Sequence, residues 1–378
     1  AAGMTAEHAR EYPVIGCVEM GSQGRTYNSS DAALFNLPLC LELALGEGHR
    51  FLGRRLPGTR FGARTPPPAA LRTFDDVVAA YRLQVRHAVR EMVQVISWLE
   101  ETYRIWRTTP LNSMLTQGCL ARGRDVTWGG ATYDFTSIQA AGLADVGDSL
   151  LALKSLVYEQ RRLSLPELVE ILKRDFLGAD KLQRELATKL PRFGNDDAEA
   201  DAMTQLAADV FTEEITRHRN SRGGRYIAGI YSMTCHQGFG RITGALPNGR
   251  RATERLSNGL SPVDGVDRRG PTAVLNSAAS LDTCRFANCC ALNLKFDQRT
   301  VSGTTGRHLL ASLLEGYFAK GGMQVQINVL DAEMLRAARS DPSLHRGLVV
   351  RVAGYCAYFA DLQPAVQDEI IERTAHGA

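Results

Sequence analysis

The sequence predicts an α/β fold. Two observations carry this expectation. After residue 220, short runs rich in Val, Ile and Tyr alternate with segments whose apolar residues recur at helical spacing. The bulk composition is that of a packed protein: 378 residues, 44% hydrophobic and 22% charged, ample for a large core.

Taken in order, the three prolines at 66–68 mark a turn or exposed loop. Residues 74–107 then place Phe74, Val77, Val78, Tyr81, Val85, Met92, Val95, Ile96 and Leu99 roughly on one face, which predicts one long helix or two abutting ones. A helix is expected over 136–160. Ser164 and Glu167 fit a capping box that opens a helix over 165–174. The pattern over 197–219 is also helical. RYIAGIYSM (225–233) reads as a buried strand, and the Gly- and Pro-rich stretch 237–276 shows no clear period. Then follow a helix over 307–320, a strand over 323–330, a helix over 331–340, a strand over 348–354 and a helix over 364–374. There is no internal repeat and no low-complexity tract.

Several function classes find no support. A net charge of +3 gives no argument for nucleic acid or a membrane surface as a partner. No run of about 18 apolar residues suggests a membrane span, and no signal peptide is visible. The 8 cysteines are scattered, so a reduced state in the cytoplasm is expected rather than a disulfide framework. Cys289–Cys290 has no nearby His or carboxylate cluster and reads as core rather than metal ligand. In GFGRITG (238–244) the third glycine comes one residue too late for a dinucleotide fingerprint.

Two short motifs carry the chemistry. In RVAGYCAYF (351–359), Gly354 directly follows a strand-like run; read alone, it is a turn glycine. In GCVE (16–19), read alone, Cys17 is a small buried hydrophobe and Glu19 a solvated charge. Together, in this order and at this separation, they resemble the two signatures of the glycyl radical enzymes, and the GCVE loop is similar to that of their eliminases. LTQGCLARGRDVTWGGATYDF (115–135), ADVGDSLLALKSLVYE (144–159), PRFGNDD (191–197), GALPNGRRA (244–252), LSPVDGVDRRGPTAVLNS (260–277) and GGMQVQINVLD (321–331) are also similar, so the resemblance covers nearly the whole chain. Met323 stands where many members carry His.

The resemblance implies a fold: the C-terminal half of a ten-stranded α/β barrel, with the Cys loop and the Gly loop meeting in its interior. It implies a catalytic part over residues 1–250 and a glycine radical domain over 251–378. Because the chain begins just before the Cys loop, an N-terminal half carrying half the barrel and much of the substrate pocket is expected upstream. Alone, the chain is expected to be unstable or to aggregate, and to be inactive.

The resemblance also implies roles. Gly354 stores an unpaired electron on Cα, which only a residue without Cβ can flatten freely. Cys17 becomes a thiyl radical that removes hydrogen from substrate. Glu19 acts as general base on a substrate hydroxyl. Asp31, with Ser30 beside it, contacts substrate; the alternative for Asp31 is an N-cap before AALFNLPLCLEL. No bound cofactor or metal is expected. The partners implied are a small-molecule substrate, a radical S-adenosylmethionine activating enzyme with an iron–sulfur cluster, the missing N-terminal half, and a second copy in a homodimer.

Gly16 takes the place of the second cysteine of formate acetyltransferases, which disfavours pyruvate cleavage. Glu19 disfavours radical addition. Within the resembled family this implies radical elimination on a small hydroxylated substrate, with water, an amine or sulfite leaving. The alternatives are an arylacetate decarboxylase or formate C-acetyltransferase-like C–C lyase of the same superfamily, and an inactive truncated paralogue.

Overall fold

A computed structural model describes residues 3–53, 60–373 and 375–376. Strands β1 (Thr26–Asn36), β2 (Tyr133–Ala141) and β3 (Arg225–Ile230) pair in parallel in that order. Strands β4 (Asn293–Phe296) and β5 (Gln326–Val329) pair in parallel, and on the other side of β4 the two-residue strand Ala375–His376 pairs in parallel with Lys295 and Phe296, which makes a second sheet of three strands. A bridge between Ile230 and Cys290 joins the two sheets, with Ile230 N donating to the Cys289 carbonyl (3.0 Å) and Ala291 N to the Ile230 carbonyl (2.9 Å). Strands β1 to β5 thus follow one another in space as they do in sequence, with Ala375–His376 added beside β4, the arrangement of half an α/β barrel. Among the described residues β1 pairs only with β2 and β5 only with β4, so both edges of the row are open.

Helix α1 (Leu37–Leu45) follows β1 directly and is buried throughout. Its cap is Asn36, whose side-chain oxygen accepts from Leu39 N (3.1 Å). The cap alternative for Asp31 is therefore wrong: the strand runs five residues beyond it before the helix begins. β1 itself had no counterpart among the expected elements.

Helix α2 is one unbroken helix, Phe74–Trp106, opened by a Thr73–Asp76 capping box. Val77, Tyr81, Val85 and Ile96 are buried as expected, but Val95 and Leu99 are exposed. The helix expected over 136–160 is corrected at its start. Residues up to Ala141 belong to β2, and helix α3 (Leu143–Leu153) begins only after Gly142 and runs on into a π-helical turn, Lys154–Glu159. A parallel strand buried on both faces is a continuous apolar run, which periodicity does not separate from a buried helix.

Helix α4 (Leu165–Lys173) carries the Ser164–Glu167 capping box read from the sequence. Helix α5 (Ala198–Ile215) packs on α3, where Gly147 leaves room for Thr204. The stretch without a period holds all but the first two residues of helix α6 (Cys235–Ile242) and the start of α7 (Pro271–Ser280). Helices α8 (Gly303–Ala319), α9 (Ala332–Ser340) and α10 (Pro364–Glu372) lie close to the expected positions. The strand expected over 348–354 is shorter, Val349–Arg351 (β6), and pairs antiparallel with Cys356–Tyr358 (β7).

The main apolar core runs through Phe35, Ile138, Ile230 and Leu294 of the strands and Tyr81, Leu150 and Phe211 of the helices. Cys290 belongs to it. A second, separate cluster, Leu335, Ala338, Val350, Val352, Phe359, Val366 and Ile370, packs α9 and α10 around the β6–β7 hairpin. The start of the sheet is clamped by buried Arg222, which pairs with Glu100 of α2 and Asp134 of β2 (both 2.8 Å) and lies 5.0 Å over the Tyr27 ring of β1.

Candidate active site

The Cys loop is a tight turn between two short antiparallel strands, Val14–Ile15 and Glu19–Met20. The turn closes on the Glu19 carboxylate, whose Oε2 accepts from Cys17 N (2.8 Å) and Val18 N (2.7 Å). Gly16 has φ +68°, and a Cβ built there lies 3.2 Å from that same oxygen. A side chain at 16 is therefore both strained and crowded. Cys17 and Glu19 are neighbours because the backbone folds round the carboxylate.

The Gly loop is the tip of the β6–β7 hairpin, closed by Val352 N donating to the Tyr355 carbonyl (2.9 Å). Gly354 is buried, with φ +83°. A Cβ built on it lies 3.0 Å from Cys17 Sγ and closer still to Cys17 Cβ. The two loops, from opposite ends of the chain, are thus in van der Waals contact at the residues that carry the two motifs.

Strand β5 and helix α10 hold the Gly loop there. Gln326 Oε1 accepts from Gly354 N and from Arg351 Nε (both 2.7 Å). Asn328 exchanges two hydrogen bonds with the Arg351 backbone (2.7 and 2.8 Å). Arg373, just past α10, donates to the Val352 carbonyl and to Glu369 Oε1 (both 2.8 Å). Glu369 in turn receives His236 Nε2 (2.7 Å), Gln237 (2.8 Å) and Asn258 (3.0 Å), and Lys295 of β4 caps α10 through the Ile371 carbonyl (2.8 Å). Burial alone would push the Glu369 carboxyl up, but His236 and Arg373 hold it well below the usual carboxylate range. Burial brings the Lys295 ammonium down to about 8.

Tyr231, at the end of β3, forms the third side of the site. Its hydroxyl lies 3.2 and 3.3 Å from the two Asp31 oxygens and 3.5 Å from Glu19 Oε1. Glu19 and Tyr231 are buried, whereas Asp31 is on the open face. Asp31 reaches the site through a bulge: between paired positions, β1 runs from Ser29 to Ala33 while β2 runs only from Thr136 to Ile138. Ser30 contributes its carbonyl, which accepts from Gln139 (3.0 Å) and Asn288 (2.8 Å).

Desolvation, then the hydrogen bond and charge of Glu19, push Asp31 up to about 6, against opposing bonds from Tyr231 and Gln139. Desolvation also raises the Cys17 thiol. Glu19 and Asp31 add to this, while Tyr231 and Arg351 oppose it. The sulfur therefore keeps its hydrogen at neutral pH. Val18, Tyr231, Cys289 and Ala291 form a small apolar cluster against which Cys17, Met233 and Met323 pack. Met323, the departure noted in the sequence, thus lies beside the Cys loop.

The structure brings Gly354, Cys17, Glu19 and Asp31 together, with Ser30 present through its backbone. Sequence reasoning missed Tyr231, Gln326, Arg351 and the Glu369–Arg373 pair. Among the described residues no group of three His, Cys, Asp or Glu side chains is placed to hold a metal, and no helix is long and apolar enough to cross a membrane.

Two family models each cover one of the two loops. The pyruvate formate lyase-like family model matches residues 1–240 and the glycine radical model matches 256–360. The chain is 34% identical to the (2S)-3-sulfopropanediol dehydratase of Klebsiella oxytoca over 98% of its own length and 45% of that protein's. It is 33% identical to the trans-4-hydroxy-L-proline dehydratase of Clostridioides difficile, over 99% of the chain and 46% of the relative. The glycerol-bound B12-independent glycerol dehydratase from Clostridium butyricum superposes with a TM-score of 0.96 at 35% identity, covering 100% of this chain and 47% of that one. The chain thus spans about half the length of the curated relatives it matches. One family model thus covers the Cys loop and the other the Gly loop, over half of an α/β barrel, and the chain belongs to the pyruvate formate lyase-like family of glycyl radical enzymes.

Proposed function

We propose that this chain is the part of a glycyl radical lyase that carries both radical sites, with Gly354 storing the electron and Cys17 attacking substrate. The observation that carries the reading is the contact between a Cβ position on Gly354 and Cys17 Sγ at 3.0 Å. The Gly354 radical takes hydrogen from Cys17: the S–H bond breaks, a Cα–H bond forms, and the sulfur is left one electron short. The thiyl removes hydrogen from the substrate carbon that bears a hydroxyl. Glu19 takes the hydroxyl proton through the oxygen not bound to the turn. The ketyl expels a neighbouring group with its bonding pair, and that group takes up a proton. The product radical then recovers hydrogen from Cys17, and the electron returns to Gly354.

Asp31, Tyr231 and the Ser30 carbonyl line the side where substrate hydroxyls would bind. The substrate class is a small hydroxylated compound losing water, an amine or sulfite. The printed names of the relatives, which include dehydratases and isethionate sulfite-lyases, support this class. Residues 1–250 serve as the catalytic part and 251–378 as the radical part. The partners are a radical S-adenosylmethionine activating enzyme, the complementing half of the barrel, and a second copy in a homodimer, and the compartment is the cytoplasm.

The test is electron paramagnetic resonance of the full-length protein after anaerobic treatment with a cognate activating enzyme. A glycyl doublet is expected, and Gly354→Ala should abolish it. Cys17→Ser should keep the doublet and lose turnover. Turnover by Cys17→Ser would sink the thiyl role.

A further inference from the structure

Gln326 is buried on β5, and its two ends are used unequally. Its oxygen accepts from Gly354 N and from Arg351 Nε, both at 2.7 Å. Its NH2 group has no hydrogen-bond partner among the described residues. A half-turn of the amide would not cure this, because NH2 would then face two N–H donors; the two donors fix which end is oxygen. An interior amide with one end doubly engaged and the other orphaned is an unfavourable choice for a residue that only fills space. An acceptor aimed at the nitrogen of Gly354 accounts for it.

We propose that Gln326 is the positioning residue for the unpaired electron on Gly354. The proposal rests on the glycyl radical reading given above. Spin on Cα is shared with the amide nitrogen only if the peptide plane on the nitrogen side stays aligned with the flattened carbon. The bond to Gln326 fixes that plane, and Arg351 fixes the oxygen of Gln326 from the other side. Accepting the N–H hydrogen also raises electron density on the nitrogen, which favours sharing. The same bond keeps the Cα hydrogen directed at Cys17 Sγ. The step it governs is the exchange already written: Cα–H forms as S–H breaks, and the reverse.

The test uses the full-length enzyme activated anaerobically in D2O. Deuterium on the Cys17 thiol enters Gly354 and collapses the α-hydrogen doublet to a singlet, so the collapse reports transfer between the two residues without any substrate. Two variants separate the acceptor from the bulk: Gln326→Glu keeps an oxygen facing both donors, whereas Gln326→Met keeps the volume and removes it. Wild type and Gln326→Glu should collapse at comparable rates. Gln326→Met should collapse about tenfold more slowly, with an altered doublet splitting, because a displaced reacting carbon loses rate steeply. A Gln326→Met that forms no radical while Gln326→Glu does also supports the role. Collapse of Gln326→Met at the wild-type rate overturns it, as does equal failure of both variants. Absence of any doublet in the activated wild type sinks the glycyl radical reading, and this proposal with it.

Discussion

At Gly354 two constraints coincide. A φ of +83° is open to glycine and strained for other residues, and the space a Cβ would enter belongs to Cys17. Gly354→Ala should therefore cost about 1–3 kcal/mol of stability in urea unfolding as well as the radical. An L side chain replaces the pro-S hydrogen of glycine, so that hydrogen is the one facing the sulfur. Asp31 offers a pH test. Its value near 6, against an ordinary 3.8, means the folded protein binds the proton more tightly than the unfolded chain. Stability from this group is present at low pH and is lost as pH rises from about 4 to 6. Asp31→Asn should melt slightly higher at pH 7, by less than about 1 kcal/mol because the carboxyl is open to solvent, and show no advantage below about pH 4. Gly354, Cys17 and Glu19 were legible because each sits in a short distinctive motif. Tyr231 and Gln326 were not: in a buried strand a Tyr or Gln looks like core until the sheet shows what it faces.

The elements were legible where their pattern is amphipathic. α4, marked by its capping box, formed as read, and the stripe of α2 gave one helix, though with Val95 and Leu99 off the buried face. β2 failed because its last seven residues are buried on both faces, which erases the alternation that marks a strand, and β1 because it is half-buried and its Asn28-Ser29-Ser30-Asp31 run reads as a loop. The bulge in β1, which delivers Asp31, has no sequence signal in a single chain. α10 is the element on which the Gly loop depends most. Glu369→Gln would leave Arg373 buried beside a neutral amide and should destabilise the protein by about 3 kcal/mol in urea unfolding at pH 7. Since the folded value of Glu369 lies well below 4.5, its contribution is full above that pH and is lost as pH falls through the lower folded value. Wild type and Glu369→Gln should thus converge in acid. A constant gap across pH would count against a charged contact.

Over the whole molecule, the five-strand row has two open edges, and a run of large apolar side chains is exposed along the second half of α2 and beyond it. Trp98, Ile105, Trp106, Leu111, Met114 and Leu115 all lie there, with Trp106 79% exposed. Such a surface favours association. This chain produced by itself should elute from size exclusion with light scattering as aggregates or oligomers, and Trp98→Lys with Trp106→Glu should reduce their size. A monomer with cooperative unfolding would overturn the expectation.

The hairpin carrying Gly354 rides on a cluster of α9 and α10 that is complete in itself, and its joint with the sheet is made of Glu369, Arg373, Lys295, Gln326 and Asn328. Parting that joint would wet amides and ions more than oil. Polar and apolar hydration change the heat capacity in opposite directions, so the separation would leave almost no calorimetric curvature. The enthalpy and entropy of parting it would then stay nearly fixed on heating, so its cost would follow a straight line with temperature rather than the dome of a wholly apolar contact.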